Sequence, residues 1–195
     1  MSRDIRLALS GASGTGKSTL AAYLVETRGL PINPIGSRSV SRAMGFESPY
    51  DVDKAGMRAE FQRRLATEKI AWEAEHESFV TDRSTLDNLL YTIFHDVHAI
   101  DAALLDQIVD GLGRYTHVVF CPVDAFCNIA GDPNRVQDAT YHKLYEVVMR
   151  GLLDRFYGMT RDPVRFLEMR AKTLIGRRQE IDSFLSRRSY MDDAP

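Results

Sequence analysis

Apolar residues along this chain gather in five short runs, at 5–10, 31–35, 78–82, 116–121 and 164–169, and each run predicts a β-strand. Between the runs the apolar spacing changes to three or four residues, the period of a helix with one buried face. Met57, Phe61 and Leu65 open a long helix expected to run to His76. Tyr141, Leu144, Tyr145, Val148, Leu152 and Phe156 form a second stripe, closed by Gly158, and Ile181, Phe184 and Leu185 mark a last helix before a fraying tail at 192–195. Strands alternating with helices predict an α/β protein built on a parallel sheet.

Two segments break this periodicity. Residues 36–54 carry Arg38, Arg42, Gly45, Pro49 and Asp51, and residues 122–137 contain Gly131-Asp132-Pro133-Asn134-Arg135. Both follow predicted strands, and long loops at the carboxyl ends of parallel strands commonly bind or cover ligands. They are expected to be an acceptor-side loop and a lid.

Composition narrows the class without naming a chemistry. A chain of 195 residues predicts one domain, 1–195, with a substantial core. A net charge of −2 exerts no global pull on nucleic acid or acidic membranes, though 25 Lys and Arg can still cluster locally. No apolar run reaches membrane-spanning length and no signal core follows Met1, so no membrane partner and a cytoplasmic location are expected. Cys121 and Cys127 give no disulfide framework, and neither they nor His95 and His98 have zinc-site spacing. Trp72 is expected to pack on the long helix.

The chemistry begins at Gly11-Ala12-Ser13-Gly14-Thr15-Gly16-Lys17-Ser18, with Thr19 following, set between the first strand and a helical stretch. This is the spacing and context of a phosphate-binding loop. Glycines let backbone N–H groups converge on phosphate oxygens, Lys17 adds a point charge, and the helix N-terminus favours the anion. Ser18 offers a hydroxyl to Mg²⁺, with Asp82 reached through water. ATP and Mg²⁺ are therefore the expected cofactors.

A second constellation, Thr81-Asp82-Arg83-Ser84, closes the third strand run. Asp82 at the end of a buried strand can hold the Mg²⁺ shell or accept a proton, and Arg83 supplies a planar fork for a phosphate or base edge.

With these residues the chain resembles the P-loop nucleoside and nucleotide kinases, thymidylate kinases and deoxynucleoside kinases among them, and most closely the small kinase-like P-loop proteins of bacteriophages. The resemblance rests on Gly11 to Thr19, on Phe79 to Ser84 with Asp87 and Asn88, on Asp132 to Arg135 and on the tail Arg170 to Leu185. It implies a three-layer sandwich around a five-stranded parallel sheet in order 2-3-1-4-5, with a lid after the fourth strand. It also implies an Asp82-Arg83 pair beside the transferred phosphate, a lid arginine at Arg135 that neutralises the migrating group, and a homodimer as one possible assembly. For a phage protein the location becomes the host cytoplasm.

Departures from the family bear on the acceptor. Ala12, Ser13 and Thr15 are neutral where thymidylate kinases carry charge in the loop, and Gly36-Ser37-Arg38-Ser39-Val40 stands where they have Arg-Glu-Pro-Gly. No carboxylate follows the second strand run before Glu47, so the deoxynucleoside kinases' base is missing there, leaving Asp82, Asp51 and Asp53 as candidates. A related resemblance, to phage kinases of 5-hydroxymethyluracil in DNA, suits that altered pocket and leads narrowly. A free deoxynucleoside monophosphate is the alternative acceptor, and a regulatory P-loop ATPase without an acceptor is the third reading. DNA would need backbone contacts from Arg38, Arg42, Arg58, Arg63 and Arg64, and a flipped base could stack on Phe46, Tyr50 or Tyr91. A second basic set, Arg177, Arg178, Arg187 and Arg188, is expected to be a solvated helix face.

Overall fold

The computed structural model describes residues 4–128, 138–157 and 164–186. Its strands β1 (Arg6–Ser10), β2 (Phe79–Asp82), β3 (His117–Phe120) and β4 (Arg165–Glu168) form one parallel sheet in the order β2-β1-β3-β4. The chain runs from β1 to β2 on one side and then returns past β1 to β3 on the other, so the order reverses between β1 and β3. The crevice at the carboxyl end of such a switch point is where open α/β sheets bind ligands.

Alternation within the strands divides the core. Leu7, Leu9, Val80 and Val119 point to one face and pack beneath α1 (Lys17–Arg28) and α8 (Leu174–Ser186). Ala8, Phe79, Val118 and Phe120 point to the other, against α4 (Arg58–Ala74), α5 (Thr85–His95), α6 (Ala102–Leu112) and α7 (Ala139–Tyr157). Helices thus cover both faces of the sheet, as the strand period requires. A short 3₁₀ turn, Val97–Ala99, links α5 to α6.

The sheet has four strands where five were expected. Residues 31–35 do lie along β2, but only as one parallel bridge from Ile32 to Val80, with Val80 donating to the Pro31 carbonyl and Asn33 to the Val80 carbonyl at 2.9 Å each. Pro31 and Pro34 have no N–H to extend that ladder.

Segment 36–54 is also corrected, from loop to two short helices, α2 (Ser37–Ala43) and α3 (Pro49–Lys54). Ser48 and Asp51 cap α3 reciprocally and Pro49 sits in its first turn; Ser39 accepts the Gly36 N–H at the start of α2. Their apolar residues Val40 and Val52 pack with Phe61 and Leu65 of α4 into a third small core. Helices this short have almost no periodic signature, and capping chemistry was the only signal available. No helix among the described residues is long and apolar enough to cross a membrane.

Candidate active site

The loop between β1 and α1 is shaped by glycine. Gly11, Gly14 and Gly16 all have positive φ, and a Cβ on Gly11 would stand 2.4 Å from the Cys121 carbonyl oxygen. The Gly11 N–H donates to Asp87 Oδ1 at 3.1 Å, and Thr15 Oγ1 donates to the Ala12 carbonyl at 2.9 Å. Lys17 is 4% exposed and folds back over the loop, its Nζ donating to the Ala12 carbonyl at 2.6 Å. Burial, then repulsion from Arg83, lowers its pKa to about 8.

Asp82, at the end of β2, accepts a hydrogen bond of 2.5 Å from Ser18 Oγ. Its other oxygen, Oδ1, is buried without a hydrogen-bond partner. Burial pushes this carboxyl up, but Lys17, Arg83 and the Ser18 hydroxyl together outweigh it, and the net shift is downward. Asp82 therefore stays an anion at neutral pH. A hydroxyl beside a carboxylate with a spare oxygen is a donor set suited to Mg²⁺, a hard cation that keeps several waters and takes phosphate oxygens. Among the described residues no group of three acidic, His or Cys side chains could hold a metal without a ligand.

Arg83 follows with φ 89, rare for a residue with a Cβ, and its N–H still bonds the Leu9 carbonyl at 2.8 Å. That twist turns the guanidinium under the phosphate loop. There it donates to the Gly11 carbonyl at 3.2 Å and Ser13 Oγ at 3.1 Å, with its Cζ 4.7 Å from the Tyr91 ring centroid. Asp87, fully buried, ties this together. It accepts from Ser84 N–H and Oγ at 2.8 Å and from the Tyr145 hydroxyl at 2.7 Å, and lies 3.6 Å from Arg83.

The loop opens into a cleft of about 770 Å³ that continues past Asp82 and Arg83 between α2, α3, α4, α5 and α7. On α4, Arg58, Gln62, Leu65 and Lys69 recur at spacings of four, three and four and all line it. Lys69 Nζ donates to Thr81 Oγ1 at 2.5 Å and stands 4.0 Å from Glu73, which also accepts from the Asn33 amide at 3.1 Å. Burial lowers the Lys69 pKa and raises that of Glu73. Gln62 (2% exposed) and Asn88 (5%) each carry one buried amide atom, Oε1 and Nδ2, without a partner. Tyr50, Tyr91, His95 and Tyr141 add aromatic walls.

Sequence-predicted groups divide accordingly. Gly14, Gly16, Lys17, Ser18, Thr19, Asp82 and Arg83 come together at one end of the cleft, with Ser13 beside them. Arg135 lies outside the described residues. From the start of the expected lid, 122–128 are described: Asn128 donates to the Gly14 carbonyl at 2.9 Å and Phe126 lines the donor end. Asp51 caps α3 and Asp53 pairs with Arg58, so neither is a free base. Phe46 packs into the third core instead of the cleft. The basic sets also change meaning. Arg63 pairs with Asp101 and Arg64 with Glu68, while Arg38 and Arg42 of α2 remain at the cleft. Arg177 is not solvated: it is 3% exposed and packs behind Gly16. Arg178 lies over the Tyr23 ring at 4.8 Å, and Arg187 and Arg188 lie outside the described residues. Gln62 and Lys69 of the cleft lining were not singled out, although Lys69 and Glu73 have helix-pair spacing; Gln62 gave no signal beyond its place on the cleft face of α4.

Comparison with known proteins agrees with this architecture. The profile of an AAA domain family matches residues 6–161, and the chain belongs to that family. No curated protein sequence matches it. Among solved structures it is similar to NadR protein in complex with NAD and AMP-PNP (TM-score 0.66, 14% identity, 96% of this chain and 52% of that one). The chain thus spans about half of that NadR chain. It is also similar to deoxyadenosine kinase from M. mycoides with bound dATP (0.59, 17%, 94% and 100%) and to shikimate kinase from Acinetobacter baumannii in complex with shikimate (0.58, 14%, 93% and 92%). At these identities the likeness concerns the fold, which is that of the small P-loop kinases.

Proposed function

We propose that this protein is an ATP-dependent phosphotransferase whose acceptor is a small nucleoside-type molecule, best a free deoxynucleoside monophosphate. The observation that carries the reading is the continuity of the cleft, from a glycine-shaped phosphate loop past Asp82 to a separate pocket of polar and aromatic side chains. A hydrolase needs room only for water, whereas this cleft extends well beyond Asp82 with the mixed polar and aromatic lining of a ligand site.

In this reading the loop N–H groups and Lys17 hold the β- and γ-phosphates, and Ser18 with Asp82 holds Mg²⁺. The metal, bound with the triphosphate, would neutralise charge on the transferred group. An acceptor oxygen attacks the γ-phosphorus while the bond to the β–γ bridging oxygen breaks, releasing ADP. An anionic acceptor phosphate needs no base, which suits the commitment of Asp51 and Asp53 elsewhere. For a hydroxyl acceptor Asp82 is the carboxylate that lines the cleft. Arg83 steadies the loop from below, and Arg135 takes the lid role that the family resemblance implies.

Gln62 and Asn88 support a heterocyclic acceptor, because their unpaired amide atoms match the hydrogen-bonding edge of a base. Arg38 and Arg42, one turn apart at the cleft, suit its anionic group. Phosphorylation of 5-hydroxymethyluracil within DNA, which led narrowly on the sequence, becomes the second reading, favoured by the same two exposed arginines. It has less support, since Arg58, Arg63 and Arg64 are engaged by carboxylates and give no free backbone footprint. The test is γ-labelled ATP with a panel of free nucleosides and monophosphates beside hydroxymethyluracil duplex. Label in mononucleotides is expected; label only in the duplex reverses the choice, and label only in inorganic phosphate removes both.

A further inference from the structure

We propose that Arg177 is a positioning residue for the donor triphosphate, a buried cation behind the phosphate loop whose charge is answered by the bound nucleotide. The inference rests on the ATP reading above, but its observations are independent of the cleft lining. Arg177 sits in the first turn of α8 and is 3% exposed. It does not line the cleft; it stands behind Gly16 and Phe126, which do. A Cβ built on Gly16 would lie 2.7 Å from its Nη1, and its Cζ is 5.5 Å from the Phe126 ring centroid. The guanidinium is therefore wedged between the last glycine of the loop and an aromatic ring.

Its charge is the puzzle. Arg28, Arg58, Arg63, Arg64, Arg83 and Arg150 all stand within 4.0 Å of a carboxylate. Arg177 has no ion pair among the described residues: its side chain meets the buried Cys121 thiol, which burial keeps neutral, and its Nε is buried without a hydrogen-bond partner. Burying a cation with no acid partner is costly. Lys17 and Arg83 flank the same loop, and the positive end of α1 points into it, so these fields add to the cost, and Asp82 and Asp87, already engaged by Ser18, Lys17 and Arg83, offset only part of it. A triphosphate in the loop would relieve the cations together. A planar guanidinium fits between backbone and ring where an ammonium would not, which explains arginine at this position.

The test uses the full chain with Arg177→Met and Arg177→Lys, read by melting temperature and by AMP-PNP titration with Mg²⁺. The Met variant should melt at or above the wild-type temperature without nucleotide, because an unanswered charge has been removed. It should bind AMP-PNP about tenfold more weakly or worse, with a smaller nucleotide-induced rise in melting temperature. The Lys variant should recover part of that affinity. With an acceptor in hand, the Met variant should raise KM for ATP and leave KM for the acceptor unchanged. A Met variant that melts lower yet binds AMP-PNP normally would overturn the proposal and make Arg177 a structural residue. Wild-type protein that fails to bind AMP-PNP would overturn the nucleotide reading as well.

Discussion

In the proposed reading, the donor end of the cleft is made by one stretch of backbone, and the acceptor end by side chains from five helices. From Gly11 to Ser18 the chain supplies a complete anion cradle in eight consecutive residues, because the chemistry lies in N–H groups and in the φ values glycine permits. The proposed acceptor pocket has no such local origin. Arg38, Tyr50, Gln62, Asn88 and Tyr141 come from α2, α3, α4, α5 and α7, more than 100 residues apart at the extremes. Phosphate is the same in every donor, so a contiguous motif can serve it; an acceptor differs from enzyme to enzyme and is met by scattered side chains.

The sharpest way to break this contrast is at its donor end. Lys17→Ala should reduce turnover by about 10²–10³-fold, because a preorganised charge at the transferred phosphate is lost. Its melting temperature should hold or rise at neutral pH, since burial of this cation costs stability and its hydrogen bonds among the described residues go to the Ala12 carbonyl and Thr15 within the loop. Steady-state kinetics beside thermal melting check both halves. Next comes Gly11→Ala, where φ 136 and a 2.4 Å approach to the Cys121 carbonyl force the loop to move. A stability loss of about 1–3 kcal/mol with strongly weakened ATP binding is expected, measured by denaturant titration and calorimetry.

At the acceptor end, Gln62→Leu should raise KM for the acceptor by about 10- to 100-fold while ATP affinity holds. Folding stability should be unchanged or higher, because an unpaired buried oxygen is removed. Equal loss of ATP binding would mean that the two ends are not separable. The smallest effect is on pH. Lys17 has a pKa near 8 in the free protein, and a bound triphosphate favours its charged form. Binding therefore takes up a proton once the solution passes about pH 8, and ATP affinity should fall by up to about tenfold per pH unit above it. From about pH 8 to 10.5 the unfolded chain holds more protons on this lysine than the folded one, so the same group makes folding stability rise with pH. Calorimetry in buffers of different ionisation enthalpy detects the uptake.

The sequence was legible where a pattern was local. The four strands fall within a residue of their apolar runs, and α7 lies under its stripe of Tyr141 to Phe156. Residues 31–35 misled because their apolar content resembles a strand while two prolines limit the ladder to one bridge. α4 hid its cleft-lining face for a related reason. Its cleft face is polar, with Arg58, Gln62 and Lys69 buried among apolar neighbours, so hydropathy alone could not tell that face from a solvated one. Arg177 was misread likewise: a charged residue on a terminal helix looks solvated until the packing of α8 against α1 brings it to Gly16. The Ser84 and Asp87 capping pair was readable as a helix start, but not as the anchor of Gly11 seventy-six residues earlier.

The most direct test of the account follows the terminal phosphate of ATP by ³¹P NMR, with Mg²⁺ and a mixture of free nucleosides and monophosphates. The account predicts a new phosphoester or phosphoanhydride resonance growing in step with ADP, and no such signal from Lys17→Ala. Inorganic phosphate appearing at the same rate with and without the mixture would contradict it.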